Sequence, residues 1–232
     1  LKNYREGVGG RAKTDLTDAQ LLARYLRKEK DELRRWMPPP KAYRTLQSLL
    51  RRRAALVKAR TALRQSLSAE PLLKTALATL LKQIDRIDHL IQKRLREAVH
   101  AAGLRDQVQR CQAIDGIGEL TATALVMAFL RGDFRNSDAF VAFLGLDVRV
   151  RDSGKLKGKR RLTKQGDTEV RRLLHCSAMS GARHPTWKAF YQRYRDRGLK
   201  TTQALVILAR KLARVAFALM KYQENYCAPR LS

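Results

Sequence analysis

The chain has 232 residues, and 49 lysine and arginine residues outnumber 21 aspartate and glutamate residues, giving a formal net charge of +28 at pH 7. Self-repulsion of this size opposes compaction, and phosphates relieve it when they neutralise basic side chains and release condensed counterions. A nucleic acid is therefore the expected partner. A membrane is excluded as the alternative because the most apolar stretch, residues 204–220, is interrupted by Arg210, Lys211 and Arg214.

The hydrophobic fraction of 44% is enough for one or two domains with a core. Cys111, Cys176 and Cys227 are odd in number and far apart, which favours buried thiols in a reducing cell over disulfides or a zinc site. No secretory pattern is recognisable, so we expect a cytoplasmic, nucleoid-associated protein. Because residue 1 is a leucine before a glycine-rich stretch, we also expect the natural protein to begin further upstream.

The first predicted helix covers residues 14–30, with apolar residues at helical spacing and Thr14 or Asp15 as its cap. Asp15 and Asp18 lie three residues apart, so they share one face of this helix and are candidates for binding a divalent metal. The pattern alone favours a simpler interpretation, a cap and a solvated acid in the first turn. Three prolines at residues 38–40 then end any helix and indicate a linker.

Two long helices are predicted next, one over residues 42–67 and one from residue 73, joined by a turn at residues 68–71. In the second helix, apolar residues alternate steps of four and three, which is the seam of a coiled coil. These are Leu73, Leu77, Leu80, Ile84, Ile87 and Ile91. The pattern predicts an antiparallel helical hairpin or a dimerising coiled coil, with a helix pair inside a globular core as the alternative.

From residue 104 onward the pattern indicates shorter helices separated by turns. Residues 113–122 have the form of a helix-hairpin-helix, in which Gly116 and Gly118 flank an apolar residue just before a new helix. Glycines permit a tight turn, and the exposed amides at the helix start can bind a phosphate oxygen. A plain tight turn packed in the core is the alternative.

Further along, Ser137 is the predicted cap of a helix that carries Phe140 and Phe143 and is closed by Gly145. Residues 146–163 are interpreted as a short strand or hairpin plus a loop. Helices are predicted again at residues 167–179 and 201–222. The last one is apolar on most sides, so we expect it to be buried.

Positive charge is concentrated in residues 149–166, around the turn Ser153-Gly154. Basic side chains hold the phosphodiester backbone and stabilise the charge that develops on a phosphate under attack. The candidate nucleic-acid-binding residues here are Arg149, Arg151, Lys155, Lys157, Lys159, Arg160, Arg161 and Lys164. Ser153 is a candidate nucleophile, although a serine before a glycine is more commonly a turn residue.

The order of these motifs resembles that of the DEDD-motif insertion-sequence transposases of the IS110 family, which includes the Piv pilin-gene invertases. The resemblance spans nearly the whole chain. Its motifs are Lys13-Thr14-Asp15-x-x-Asp18-Ala19, the Gly-Ile-Gly turn, Asp133-Phe134, Phe140-x-x-Phe143-x-Gly145-Leu146, Ser153-Gly154, Leu162-x-Lys164-x-Gly166-Asp167 and Arg171-Arg172-x-Leu174.

The resemblance implies a recombinase with two catalytic parts. A RuvC-like domain holds four acidic residues that bind Mg²⁺, and Asp15 and Asp18 fall on the last two of these positions. A carboxy-terminal transposase domain supplies a serine that attacks DNA and forms a covalent intermediate, and Ser153 falls on that position. The family also implies a guide RNA encoded by the element and a homo-oligomer assembled through the coiled coil.

The expected fold is mainly α. Residues 1–37 are interpreted as the end of a RuvC-like α/β domain, 38–103 as a helical coiled-coil spacer, and 104–232 as a mostly helical transposase domain with a helix-hairpin-helix-like element and a short β segment.

Two departures from the family pattern affect the site. The family's first Asp and its Glu have no counterpart in this sequence, so we expect the chain alone to be inactive. Asp147-Val148 follows Leu146 where the family often has a proline. The alternative function is a non-catalytic nucleic-acid-binding protein derived from a transposase, and an upstream reading frame that encodes the missing acids would favour the enzyme.

Overall fold

The computed structural model describes residues 2–7, 14–33, 36–149 and 161–228. The fold is mainly α, as the sequence predicts, and the sheet found among these residues has only two strands. The chain divides into two compact units, residues 1–38 and 39–232. Within the described ranges no helix is long and apolar enough to cross a membrane.

The first unit contains helices α1 (Lys2–Gly7) and α2 (Asp15–Glu29). Thr14 caps α2 as predicted: its hydroxyl accepts from the Thr17 amide at 3.2 Å, and the Thr17 hydroxyl accepts from the Thr14 amide at 2.9 Å. The rings of Tyr4 and Tyr25 join the two helices edge to face at 4.9 Å. None of the residues of α2 is fully buried.

The second unit begins with helices α3 (Lys41–Leu67) and α4 (Lys74–Ala101), joined by a 3₁₀ turn, Pro71–Leu73. They form the predicted helical hairpin, and Leu46, Leu50, Leu95 and Val99 at its base belong to the hydrophobic core. Nearer the tip, ion pairs join the helices: Arg53 Nε lies 2.9 Å from Asp88 Oδ1 and Arg60 Nε lies 3.0 Å from Asp85 Oδ1.

The expected apolar seam on α4 is only half buried. Leu77 and Ile84 are buried, whereas Leu73, Leu80 and Ile87 are 41%, 43% and 46% exposed. Leu77 and Ile84 repeat at one position of the seven-residue pattern, and Leu73, Leu80 and Ile87 repeat at the other, so only the first position is covered. A continuous seam from Leu73 to Ile91 is therefore not formed within the chain.

The described residues of the second unit form six further helices: α5 (Arg105–Gln112), α6 (Glu119–Phe129), α7 (Ser137–Phe143), α8 (Thr168–Gly181), α9 (Pro185–Asp196) and α10 (Thr201–Tyr222). Helix α6 is central, since every residue from 121 to 128 is buried. The rings of Phe129, Phe140 and Phe217 pack together with centroids 5.7–6.1 Å apart. Helix α10 is largely buried, as predicted from its apolar character.

The short β segment is also confirmed. Strands β1 (Val148–Arg149) and β2 (Arg161–Leu162) pair antiparallel, with Val148 opposite Leu162 and Arg149 opposite Arg161. The residues between them, 150–160, lie outside the described ranges.

Two local predictions are corrected. The cap of α7 is Asn136 rather than Ser137, because the Asn136 side chain accepts from the Ala139 amide at 2.9 Å and Ser137 is the first helical residue. Cys111 is buried, as expected, but Cys176 and Cys227 are exposed. Cys176 is on α8 and Cys227 follows the end of α10, at positions that the core does not cover.

Candidate functional site

Strands β1 and β2 are joined to the core by a close contact between two glycines. Gly145 has a φ of +70°, and a Cβ there would lie 2.5 Å from the amide nitrogen of Gly166. A Cβ on Gly166 would lie 2.3 Å from the carbonyl carbon of Leu144. Only glycine fits at both positions. This contact brings together in space the two motifs that end in Gly145-Leu146 and Gly166-Asp167.

Hydrogen bonds pair the residues just before β1 with the residues just after β2. The Lys164 amide donates to the Gly145 carbonyl at 3.2 Å, and the Thr163 amide donates to the Asp147 carbonyl at 3.1 Å. The Thr163 hydroxyl also donates to the Asp147 carboxylate. Asp147, the departure from the family pattern, therefore pairs with the residue that follows β2. Lys164 takes a left-handed φ of +56°, which turns the chain toward Gly166.

The two arginines near the start of α8 stabilise the turn between β2 and α8. Arg171 donates to the Gly166 carbonyl at 2.5 Å and to the Thr168 hydroxyl at 3.3 Å. Arg172 donates to both carboxylate oxygens of buried Glu169 at 2.6 and 2.7 Å, and this hydrogen bonding raises the pKa of Arg172. Both guanidinium groups are hydrogen-bonded within the protein and support this turn, and the carboxylate of Glu169 neutralises the charge of Arg172.

Asp167 connects this turn to α3 of the helical hairpin. It caps α8 by accepting from the Glu169 amide at 2.9 Å, and its other oxygen accepts from Arg51 of α3 at 3.3 Å and from Gln47 at 3.5 Å. Sequence reasoning missed Arg51 and Gln47. No periodic pattern links residues more than 110 positions apart, so only the tertiary structure identifies this contact.

Three of the basic residues predicted to bind nucleic acid lie in the described part of the chain, where they are exposed and have no ion-pair partner among the described residues. Arg149 and Arg161 lie directly opposite each other on the two strands, and Lys164 follows. Like charges opposite each other in a sheet repel, and a bound phosphate would relieve that repulsion. The remaining predicted residues, Arg151, Ser153, Lys155, Lys157, Lys159 and Arg160, lie outside the described ranges.

The predicted helix-hairpin-helix turn links α5 and α6, and its two glycines differ. Gly116 has a φ of +91° and packs on α8, where a Cβ would lie 2.8 Å from the backbone of Gly181. Gly118 precedes α6 with a φ of −86°, which any residue can adopt, and it is exposed with open space around it. Gly116 therefore anchors the turn against α8, while Gly118 is exposed at the start of α6.

Asp115, next to these glycines, secures the turn to the end of the chain. Its carboxylate accepts from the Thr186 hydroxyl at 2.7 Å and from the Tyr226 hydroxyl at 3.3 Å, and its carbonyl accepts from the Trp187 ring at 3.0 Å. Burial, followed by the charge of Asp115, raises the pKa of Tyr226 to about 12. The turn is thus built rigidly into the second unit.

Asp15 and Asp18 lie on the first turn of α2 in the first unit. Asp15 is exposed, and Asp18 forms an ion pair with Arg5 of α1. The described residues contain no cluster of three or more His, Cys, Asp or Glu side chains that could hold a metal. The donor type nevertheless fits Mg²⁺, which commonly binds one or two carboxylates together with water and substrate phosphates.

Comparison with known families supports the motif order. A family model described as the Transposase IS116/IS110/IS902 family matches residues 108–192, which include the hairpin turn, the paired strands and α8. A second model, for DEDD transposases of the IS110 type, matches residues 1–77, which include Asp15 and Asp18. The chain belongs to the IS110 family of transposases. Transposases are enzymes of DNA recombination, so this IS110-family transposase belongs to an enzyme class that acts on DNA.

The proteins similar to this chain include pilin gene-inverting proteins and transposases. The pilin gene-inverting proteins of Moraxella bovis and Moraxella lacunata are 28% and 27% identical to this chain, and each alignment covers 96% of the chain and 70% of the relative. The transposase for insertion sequence element IS1111A of Coxiella burnetii is 30% identical over 70% of the chain and 46% of its own length.

Proposed function

We propose that this transposase cuts and rejoins DNA with Ser153 as the nucleophile and with Mg²⁺ at a site that includes Asp15 and Asp18. The observation that carries the proposal is the glycine joint between Gly145 and Gly166, which fixes the two strands that flank residues 150–160. A reactive loop needs such a rigid base, because a nucleophile must be held in line with the phosphorus that it attacks.

In the proposed reaction, Ser153 and the two arginines of β1 and β2 have different roles. The Ser153 hydroxyl loses its proton and its oxygen bonds to phosphorus, while one bridging P–O bond breaks and the departing sugar oxygen takes up a proton. Negative charge increases on the non-bridging oxygens. Arg149 and Arg161, exposed and opposite each other, supply the positive charge that stabilises it.

A metal ion bound at the carboxylates would polarise the phosphodiester and stabilise the departing oxygen. Asp15 and Asp18 would hold the ion from one face of α2. Because Asp18 is paired with Arg5, binding requires that Arg5 release this carboxylate. Asp15→Ala and Asp18→Ala should each suppress the covalent reaction and leave DNA binding in place.

The decisive experiment is a search for a covalent protein–DNA adduct that survives denaturation, with the full-length transposase, element DNA and Mg²⁺. Ser153→Ala should abolish the adduct and leave affinity nearly unchanged, since one hydroxyl contributes little beside many phosphate contacts. Ser66→Ala, at an exposed serine of α3, is the control and should keep the adduct. An adduct that persists in Ser153→Ala would move the nucleophile elsewhere.

A guide RNA and a homo-oligomer are part of this proposal. The net charge of +28 is large enough for contacts with both RNA and DNA. The exposed apolar residues Leu80 and Ile87 on α4, with Leu73 in the turn before it, supply a surface for a second copy. DNA as the substrate would place the protein at the nucleoid in the bacterial cytoplasm.

A non-catalytic nucleic-acid-binding protein is the second candidate, and the ion pair between Asp18 and Arg5 favours it because that pair occupies a proposed metal ligand. Salt-dependent binding without any adduct, in the full-length protein with Mg²⁺ and RNA, would select this alternative.

A further inference from the structure

A basic groove runs between the first half of α3 and the last turns of α4, on the helical spacer. It has a volume of about 890 Å³. Basic side chains, one acidic side chain, hydroxyls and a small apolar floor line it. The lining residues include Lys41, Arg44, Ser48, Arg52, Arg94 and Glu97. We call it the spacer groove.

The spacer groove carries uncompensated positive charge. Lys41, Arg44 and Arg52 are exposed and form no ion pair within the part of the chain that the structure describes. Arg94 lies 2.9 Å from Glu97, so the one acidic side chain of the groove is already neutralised. Four cations and one anion give a net charge of 4 − 1 = +3. Helix α3 contributes to this excess with eight basic residues and no acidic ones.

The spacing of the polar groups suits a chain of phosphates. Arg44, Ser48 and Arg52 are four residues apart, so they lie on one face of α3 at steps of about 6 Å. Neighbouring phosphates of an extended strand are separated by a similar distance. Arginines and hydroxyls are the side chains that commonly contact phosphate oxygens.

The start of α3 adds to the attraction. Lys41 is its first residue, and Pro40 before it provides no side-chain cap, so the first amides of the helix have no side-chain acceptor there. The positive end of the helix dipole lies at Lys41, at one end of the groove. The apolar floor, with Leu49 and Ala98 half buried, offers a surface for the sugars.

We propose that the spacer groove binds the sugar–phosphate backbone of one nucleic-acid strand, so that the spacer is a second contact surface besides the β1–β2 hairpin. The contact between Arg51 and Asp167 ties α3 to the base of that hairpin within one compact unit. The inference rests on the proposed function, in which this protein acts on nucleic acid. It adds a binding site that the helical pattern of residues 41–101 does not reveal.

The test compares two triple variants that lose the same charge. The groove variant carries Lys41→Gln, Arg44→Gln and Arg52→Gln. The control carries Arg64→Gln, Lys74→Gln and Lys82→Gln, at exposed residues near the other end of the helical hairpin. Each phosphate contact contributes about 0.7 to 0.9 to the slope of log affinity against log salt. The groove variant should therefore lose about 2 to 3 in slope and the control less than 1.

Crosslinking locates the contact and identifies the nucleic acid. With Cys176→Ser and Cys227→Ser as background, a photoreactive label on Ser48→Cys should crosslink to the bound strand, and the same label on Ser66→Cys should not. Separate samples with duplex DNA and with a structured RNA show which of them occupies the groove. Equal slopes for the two triple variants, or equal crosslinking at the two positions, would overturn the inference. A wild-type chain that binds neither polymer would instead refute the proposed function.

Discussion

At the scale of single residues, Gly166 is the position where a side chain has the least room. Gly166→Ala would place a methyl group 2.3 to 2.5 Å from backbone atoms of Leu144 and Phe143, and backbone cannot move aside as a flexible side chain can. We expect a loss of stability of about 1–3 kcal/mol or more, measured as a lower melting temperature. Gly132→Ala is the matched control, because nothing lies within 4 Å of a Cβ there. Equal melting of the two variants would contradict the glycine joint.

The three cysteines should react with thiol reagents at very different rates. Burial raises the pKa of Cys111 to about 12, so at pH 8 it remains a protonated thiol inside the core, whereas Cys176 and Cys227 are exposed. The thiolate is the reactive form. A chromogenic disulfide reagent should therefore titrate two thiols rapidly in the native protein and a third only after denaturation. Rapid reaction of all three would mean that the Cys111 site opens readily.

At the scale of elements, α4 presents two apolar faces with different environments. Ile84 is 8% exposed and packs inside the helical hairpin, whereas Ile87 is 46% exposed. Ile84→Asp buries a charge and should lower the free energy of unfolding by about 3 kcal/mol or more. Ile87→Asp should leave the melting of a monomer nearly unchanged.

The same pair of variants tests assembly. If the outer face of α4 contacts a second copy, Ile87→Asp should lower the sedimentation coefficient of the oligomer without unfolding the chain. Unchanged sedimentation of Ile87→Asp would exclude this face as the oligomer contact, and unchanged melting of Ile84→Asp would contradict the packing of the hairpin.

Elements were predictable where the local pattern was sufficient. The capped helix after Thr14, the helical hairpin and the paired strands near Arg149 all follow from spacing, caps and turn residues. The exact cap of α7 and the buried stripe of α4 do not. They depend on which neighbouring surface covers the helix, and the helix's own sequence does not contain that information.

At the scale of the whole molecule, the net charge predicts how binding responds to salt. The chain should bind duplex DNA or structured RNA with little sequence preference, and log affinity should fall linearly with log salt concentration because several phosphates are neutralised at once. The measurement is a titration between about 50 and 200 mM salt. A flat response over that range would count against the phosphate contacts at both the β1–β2 hairpin and the spacer groove.

The sequence by itself predicted a nucleic-acid partner and determined the mainly α fold and the family, because net charge, helical periodicity and motif order are properties of the chain before it folds. It also singled out Gly145 as the end of a helix and Gly116 as a turn glycine, and it placed Gly166 in a family motif. The tertiary structure decided which of these groups face a ligand and which face the protein. Arg171 and Arg172 are bound to carbonyl and carboxylate oxygens, while Arg149 and Arg161 remain exposed. That distinction depends on contacts between residues far apart in sequence, as between Arg51 and Asp167, and such contacts exist only once the helices have packed.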